Sequence, residues 1–115
     1  MSLELLTTID IIEVMENYVS GIRPPEHLRE KLDITYTIED QSVILHEVRP
    51  VFNTPHIKKA YGYAKATFIK SSKKWKVFWM RSNLKWTPYE PEPQVKSLTE
   101  FVKLVEEDAY QCFKG

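Results

Sequence analysis

The spacing of the apolar side chains switches twice along this chain, from helical to alternating and back, which restricts the fold to helices combined with an antiparallel sheet. Up to residue 20, Leu5, Ile9, Ile12, Met15 and Val19 recur at helical spacing above an acidic outer face of Glu4, Asp10, Glu13 and Glu16. Gly21 follows where a helix often needs a left-handed residue. Ile22 to Lys31 contains Pro24 and Pro25 and reads as a structured connector. From Asp33 the period is two: Ile34, Tyr36 and Ile38 alternate with Thr35 and Thr37, Glu39-Asp40-Gln41-Ser42 turns the chain, and Val43 to Arg49 completes a hairpin. Residues 50 to 58, with Pro50, Asn53 and Pro55, read as a loop. Ala60 to Lys70, Lys74 to Arg81 and Leu84 to Tyr89 are three further strands, turned at Ser71-Ser72-Lys73 and Ser82-Asn83. Pro88, Pro91 and Pro93 then impose an extended connection. Ser97-Leu98-Thr99-Glu100 is a capping box that opens a last helix, with Leu98, Phe101, Val102, Val105, Ala109 and Cys112 as its buried stripe. The expected architecture is α+β: an antiparallel sheet of four to five strands with the N- and C-terminal helices packed on one face.

At 115 residues the chain has the size of one domain, expected to span 1–115, and 43% apolar residues with only three glycines exclude a disordered or low-complexity class. The acidic N-terminus lacks the basic start and unbroken apolar stretch of a signal peptide, and no segment approaches a membrane span. The single cysteine, Cys112, reads as a small apolar packing residue, and a reducing cytoplasm is the expected location.

The formal net charge is zero, but it is the sum of unlike segments. Between Val48 and Tyr89 there is no Asp or Glu, while Arg49, Lys58, Lys59, Lys65, Lys70, Lys73, Lys74, Lys76, Arg81 and Lys85 make the middle of the chain +10. The flanks, 1–47 and 90–115, carry −7 and −3. Fields act over about one Debye length, roughly 8 Å in physiological salt, so this asymmetry says more about partners than the total does.

Strand parity predicts where those charges lie, provided that the turns are even. A two-residue turn at Ser82-Asn83 sets Trp79 opposite Trp86 and Met80 opposite Lys85. Gly62, Ala64, Ala66 and Phe68 then share the core face with Trp75, Val77, Trp79 and Trp86. The opposite face carries aromatic and basic residues together, and Tyr61, Tyr63, Lys65, Lys76, Phe78, Lys85 and Tyr89 are its candidate binding residues.

Three readings of that face compete. An antiparallel sheet ordinarily alternates charged and aromatic residues on its solvent side. Phe78, Met80 and the tyrosines could be buried by a protein partner or a second copy of the chain. Rings with lysines between them also suit a single-stranded nucleic acid, since rings stack on bases and lysines neutralise phosphates.

Signals for chemistry are few. His27, His46, His56 and Cys112 lie in different elements without paired spacing, so no metal site is expected. No Gly-x-Ser-x-Gly elbow or phosphate-cradling glycine loop is present, and no cofactor is implied. Glu47 and Arg49 share one side of a strand, and parity adds Arg81 on the core-facing side. Such a polar cluster is more often a partly buried ion pair than a catalytic carboxylate.

Glu47-Val48-Arg49-Pro50, Ala64-Lys65-Ala66-Thr67, Trp75-Lys76-Val77-Phe78-Trp79-Met80-Arg81, Leu84-Lys85-Trp86-Thr87-Pro88-Tyr89-Glu90-Pro91, Asp108 and the closing Cys112-Phe113-Lys114-Gly115 resemble the bacterial family known as domain of unknown function 3024, as does the upstream Arg23-Pro24-Pro25. Thr87 departs from its pattern, standing where a histidine is expected. The resemblance implies a small stand-alone bacterial protein and carries over no catalytic residue. The expected function is therefore non-catalytic: a small binding protein that uses an open basic-aromatic sheet face for a protein partner or homodimer. The alternatives are a single-stranded nucleic-acid binding module and, third, an enzyme centred on Glu47, Arg49 and Arg81.

Overall fold

The computed structural model describes residues 4–114. Helix α1 (Leu5–Ile22) leads through a short 3-10 turn at Glu26–Leu28 to strands β1 (Asp33–Glu39), β2 (Ser42–Val51), β3 (Thr54–Ile69), β4 (Lys74–Met80), β5 (Trp86–Pro88) and β6 (Gln94–Val95), and helix α2 (Leu98–Glu107) follows. The sheet is antiparallel in the order β1-β2-β3-β4-β5, and β6 pairs with β4 as well. The outer edge of β4 is thus covered in two pieces, by β5 beside Phe78–Met80 and by β6 beside Trp75 and Lys76. The architecture is α+β, with both helices against one face of the sheet. Ile11, Met15 and Val19 of α1 and Leu98, Phe101 and Val105 of α2 join one core with Val43, Leu45, Ala64, Ala66, Trp75 and Val77. Burial of each large side chain stabilises this layer by about 1.5–3 kcal/mol.

Helix α1 differs from expectation in two respects. Its buried stripe is Ile11, Met15 and Val19, flanked by Val14 and Tyr18, while Ile9 and Ile12 are exposed. The helix carries apolar residues on more than one side, and the sheet takes only the row spaced by four. The Leu5 side chain lies outside the described residues. Helix α1 also runs through Gly21 and ends because Arg23 precedes Pro24, which holds it extended at φ −58° and ψ 138°.

Helix α2 begins as its sequence requires. The Ser97 hydroxyl accepts from the Glu100 backbone N–H at 3.2 Å, and the Glu100 carboxylate reaches back to the Lys96 N–H at 3.0 Å. It ends one turn early, with Asp108 left-handed at φ 41°, so Ala109 and Cys112 lie beyond the helix and Ala109 is exposed. The Asp108 carboxylate accepts from the N–H groups of Phe113 and Lys114 at 3.0 and 2.9 Å, which folds the tail back and buries Phe113.

Two irregularities in the sheet decide which side chains face outward. Between Leu45/Ala64 and His46/Gly62 the register skips Tyr63, a bulge that places one extra residue on β3. The β4–β5 hairpin turns over three residues rather than two. Arg81 N–H donates to the Lys85 carbonyl at 3.2 Å, Leu84 N–H donates back to the Arg81 carbonyl at 2.9 Å, and Leu84 is left-handed at φ 63°. Trp86 therefore pairs with Met80, and Thr87, not Trp86, stands opposite Trp79. The turn between β3 and β4 is even, as expected, and sets Phe68 opposite Trp75.

Residues 50–58, expected as a loop, continue the β2–β3 pairing. The β1 register ends at Asp33↔Val48, and β4 reaches only Ala64, so from Arg49↔Lys59 outward β2 and β3 form a two-stranded ribbon that turns at Phe52 and Asn53. Pro50 and Pro55 are tolerated because the ribbon has free edges and Pro55, His56 and Ile57 fall in a register skip. The molecule measures 45 × 29 × 26 Å along its principal axes.

Candidate functional site

The face of the sheet away from the helices is built by residues whose register partners run across the strands: Thr37, Ile44, Lys65, Phe78 and Pro88 in one row, and Ser42, Thr67 and Lys76 in the next. The odd hairpin turn adds Trp86. Its indole lies over Gly62 and Ile44, within 3.3 Å of where a Gly62 Cβ would stand, and Ile44 is 7% exposed although no helix covers it. The Lys65 ammonium sits 5.0 Å from the centroid of the Phe78 ring and 5.1 Å from that of Trp86. Each such cation–ring contact is worth about 0.5–2 kcal/mol, depending on how far water is excluded. Burial there pushes the Lys65 ammonium below the ordinary lysine range, and Glu39 opposes that shift in part. Phe78, Met80 and Trp86 remain half-buried, and Lys74 and Lys76 are exposed.

Of the residues singled out in the sequence, this face gathers Lys65, Lys76 and Phe78. Tyr63 is not on it. The bulge turns its ring toward the helices, where it is buried with its hydroxyl unpartnered among the described residues, and burial together with Glu47 and Glu106 raises its phenol well above the usual range. Tyr89 is also inside, because the odd hairpin turn reverses the parity of β5. Its ring packs 4.8 Å from Phe113 and 6.5 Å from Tyr110. Tyr61 stands on the side of Glu47, at the root of the ribbon, with the Lys59 ammonium 5.6 Å from its ring. Lys85 closes the hairpin opposite Arg81. Gly62 and Trp86, expected in the core, move the other way and form the centre of the open face.

The isolated glycine inside β3 was the sequence signal for the bulge, since a glycine within a strand marks a bulge or a close approach. Asn83 was the corresponding signal at the turn, for its side-chain oxygen accepts from the Lys85 N–H at 3.0 Å.

Glu47 and Arg49 do form an ion pair, at 2.6 Å, with the Arg49 side chain 54% exposed. It lies along β2 and does not clamp a helix. Arg81 is not joined to it, and its guanidinium sits 6.0 Å from the Trp79 ring centroid. Also on the open side, His46 holds Thr37 Oγ1 through Nε2 at 2.9 Å, while its Nδ1 is buried without a partner among the described residues and burial lowers its pKa. Cys112 is half-buried at the core margin, and burial raises its thiol above the usual range. Among the described residues no three His, Cys, Asp or Glu side chains converge as metal ligands. No helix among them is long and apolar enough to cross a membrane.

The profile of the family described as domain of unknown function (DUF3024) matches residues 4–115, essentially the whole chain. No curated protein and no solved structure matches it.

Proposed function

The chain belongs to the DUF3024 family, and from its open face we propose that it is a small non-catalytic binding protein whose ligand there is single-stranded nucleic acid. The observation that carries this reading is the cluster of Phe78 and Trp86 with the Lys65 ammonium about 5 Å from both rings and Lys74 and Lys76 beside them. Two half-exposed rings offer stacking surfaces worth about 1–3 kcal/mol per base, and the lysines offer phosphate contacts. The strands β3 to β5 contain no carboxylate to oppose a polyanion.

A protein partner is the second reading, favoured by the apolar strip of Ile44, Phe78, Met80 and Trp86. A homodimer through this face is disfavoured by charge, because a two-fold contact presses the same lysine-bearing patch against itself. A non-catalytic role is supported by Glu47, whose carboxylate is already engaged by Arg49. The setting proposed is the reducing cytoplasm of a bacterial cell, which suits a lone half-buried thiol.

Fluorescence anisotropy with a labelled mixed-sequence single strand, at about 50 and 200 mM salt, tests the reading. Binding should weaken steeply with salt, and Phe78→Ala or Lys76→Glu should reduce it about tenfold, the scale of one lost stacking or phosphate contact. Absence of binding at the lower salt, or binding indifferent to both substitutions, would overturn it.

A further inference from the structure

We propose that the β2–β3 ribbon is an arm that enters a groove of duplex DNA, with Phe52 as the wedge at its tip. The ribbon leaves the sheet beyond Val48 and Ala60, and its turn carries a phenylalanine that is 95% exposed, a large apolar ring that gives the core almost no burial. Ile57, half exposed, extends the apolar tip. Behind it the register places Lys58 opposite Pro50, two residues from Phe52, and Lys59 opposite Arg49. At roughly 3.3 Å per residue Lys58 stands about 7 Å behind the ring, close to the depth of about 7.5–8.5 Å that separates a groove floor from its flanking phosphates. A ring at the tip can then reach the base steps while the lysines meet the phosphates, the arrangement by which apolar wedges unstack and bend a duplex.

Charge favours a polyanion, since the arm carries Lys58 and Lys59 and there is no carboxylate between Val48 and Tyr89. Lys58 makes a loose contact, 3.4 Å to Glu30, whose side chain is 86% exposed, and such a pair exchanges readily for a phosphate. Arg49 is retained by Glu47 and stiffens the root of the arm. The arm does not depend on the single-strand reading of the sheet face, from which it is separated by residue.

The test titrates the full chain into a labelled mixed-sequence duplex of about 20 base pairs, with the matching single strand and phosphatidylserine vesicles in parallel. Phe52→Ala should weaken duplex binding about tenfold and leave single-strand binding unchanged. Lys58→Ala with Lys59→Ala should lower the slope of log affinity against log salt by about two. A 2-aminopurine probe within the duplex should brighten on binding of the parent protein and not of Phe52→Ala. Thermal melting of each variant checks that the exposed substitutions leave the fold intact. Duplex binding that is absent, or equal in Phe52→Ala, would overturn the proposal, as would vesicle binding lost in Phe52→Ala without duplex binding. Loss of single-strand binding alone would count against the sheet-face reading and leave the arm standing.

Discussion

Gly62 lies beneath the indole of Trp86 so closely that a Cβ on it would come 3.0 Å from Trp86 Cζ2 and 3.2 Å from Ile44 Cγ2. Gly62→Ala should therefore destabilise the protein by about 1–2 kcal/mol, the scale of modest overpacking less the small gain from removing a flexible glycine. In a Trp86→Ala background the same substitution should cost nothing or stabilise. Urea unfolding of the four proteins measures the coupling, and an equal loss in both backgrounds would show that the indole is not the obstacle.

Leu84 holds φ 63° at the third position of the β4–β5 turn with its side chain 79% exposed, so it combines backbone strain with little packing. Leu84→Gly should stabilise the fold by about 0.5–1 kcal/mol, because only glycine adopts this conformation freely. Differential scanning calorimetry would register a rise of a few degrees in Tm. A fall would mean that the leucine side chain contributes more than its exposure suggests.

Tyr63 and Tyr18 differ in how their hydroxyls are satisfied. Tyr18 donates to Glu106 Oε1 at 3.0 Å, whereas the Tyr63 hydroxyl has no partner among the described residues. Removing an unpaired buried hydroxyl recovers its desolvation cost, so Tyr63→Phe should be neutral or stabilise by up to about 1 kcal/mol, while Tyr18→Phe should cost about 1 kcal/mol. Chemical denaturation of the two variants separates them, and the reverse order would point to a water held by Tyr63.

Acid should weaken the protein in two windows. His46 has its pKa lowered by burial, so its folded form resists a proton that the unfolded chain accepts, and stability is lost as pH falls below about 6.5. Asp33 has its pKa lowered by the paired hydrogen bonds from Arg23 at 2.7 and 2.8 Å, and its contribution is lost as pH falls below about 3.9. His46→Gln should flatten the first step of a Tm-against-pH curve, and Asp33→Asn the second. Persistence of both steps in both variants would assign them to other groups.

The capping box at Ser97, the β1–β2 hairpin and the even turn at Ser71–Lys73 were legible because each rests on local chemistry: a hydroxyl three residues from its N–H, or a polar break in a period of two. The faces of the sheet were not, because parity accumulates. One extra residue at Tyr63 and one at Leu84 each invert everything beyond them, and no propensity distinguishes Trp86 inward from Trp86 outward when both sites are apolar. The ribbon at 50–58 was hidden by Pro50 and Pro55, whose usual meaning holds only where a strand has a neighbour requiring their N–H.

The three-residue turn between Arg81 and Lys85 has a consequence for any chain that shares these strands. Were the same residues closed instead by a two-residue turn at Ser82-Asn83, Leu84 would enter the strand, Trp86 would stand opposite Trp79, and the indole would leave Ile44 and Lys65 for the helix side. Whether Leu84 sits in the turn or in the strand thus selects which side chain the protein shows to solution.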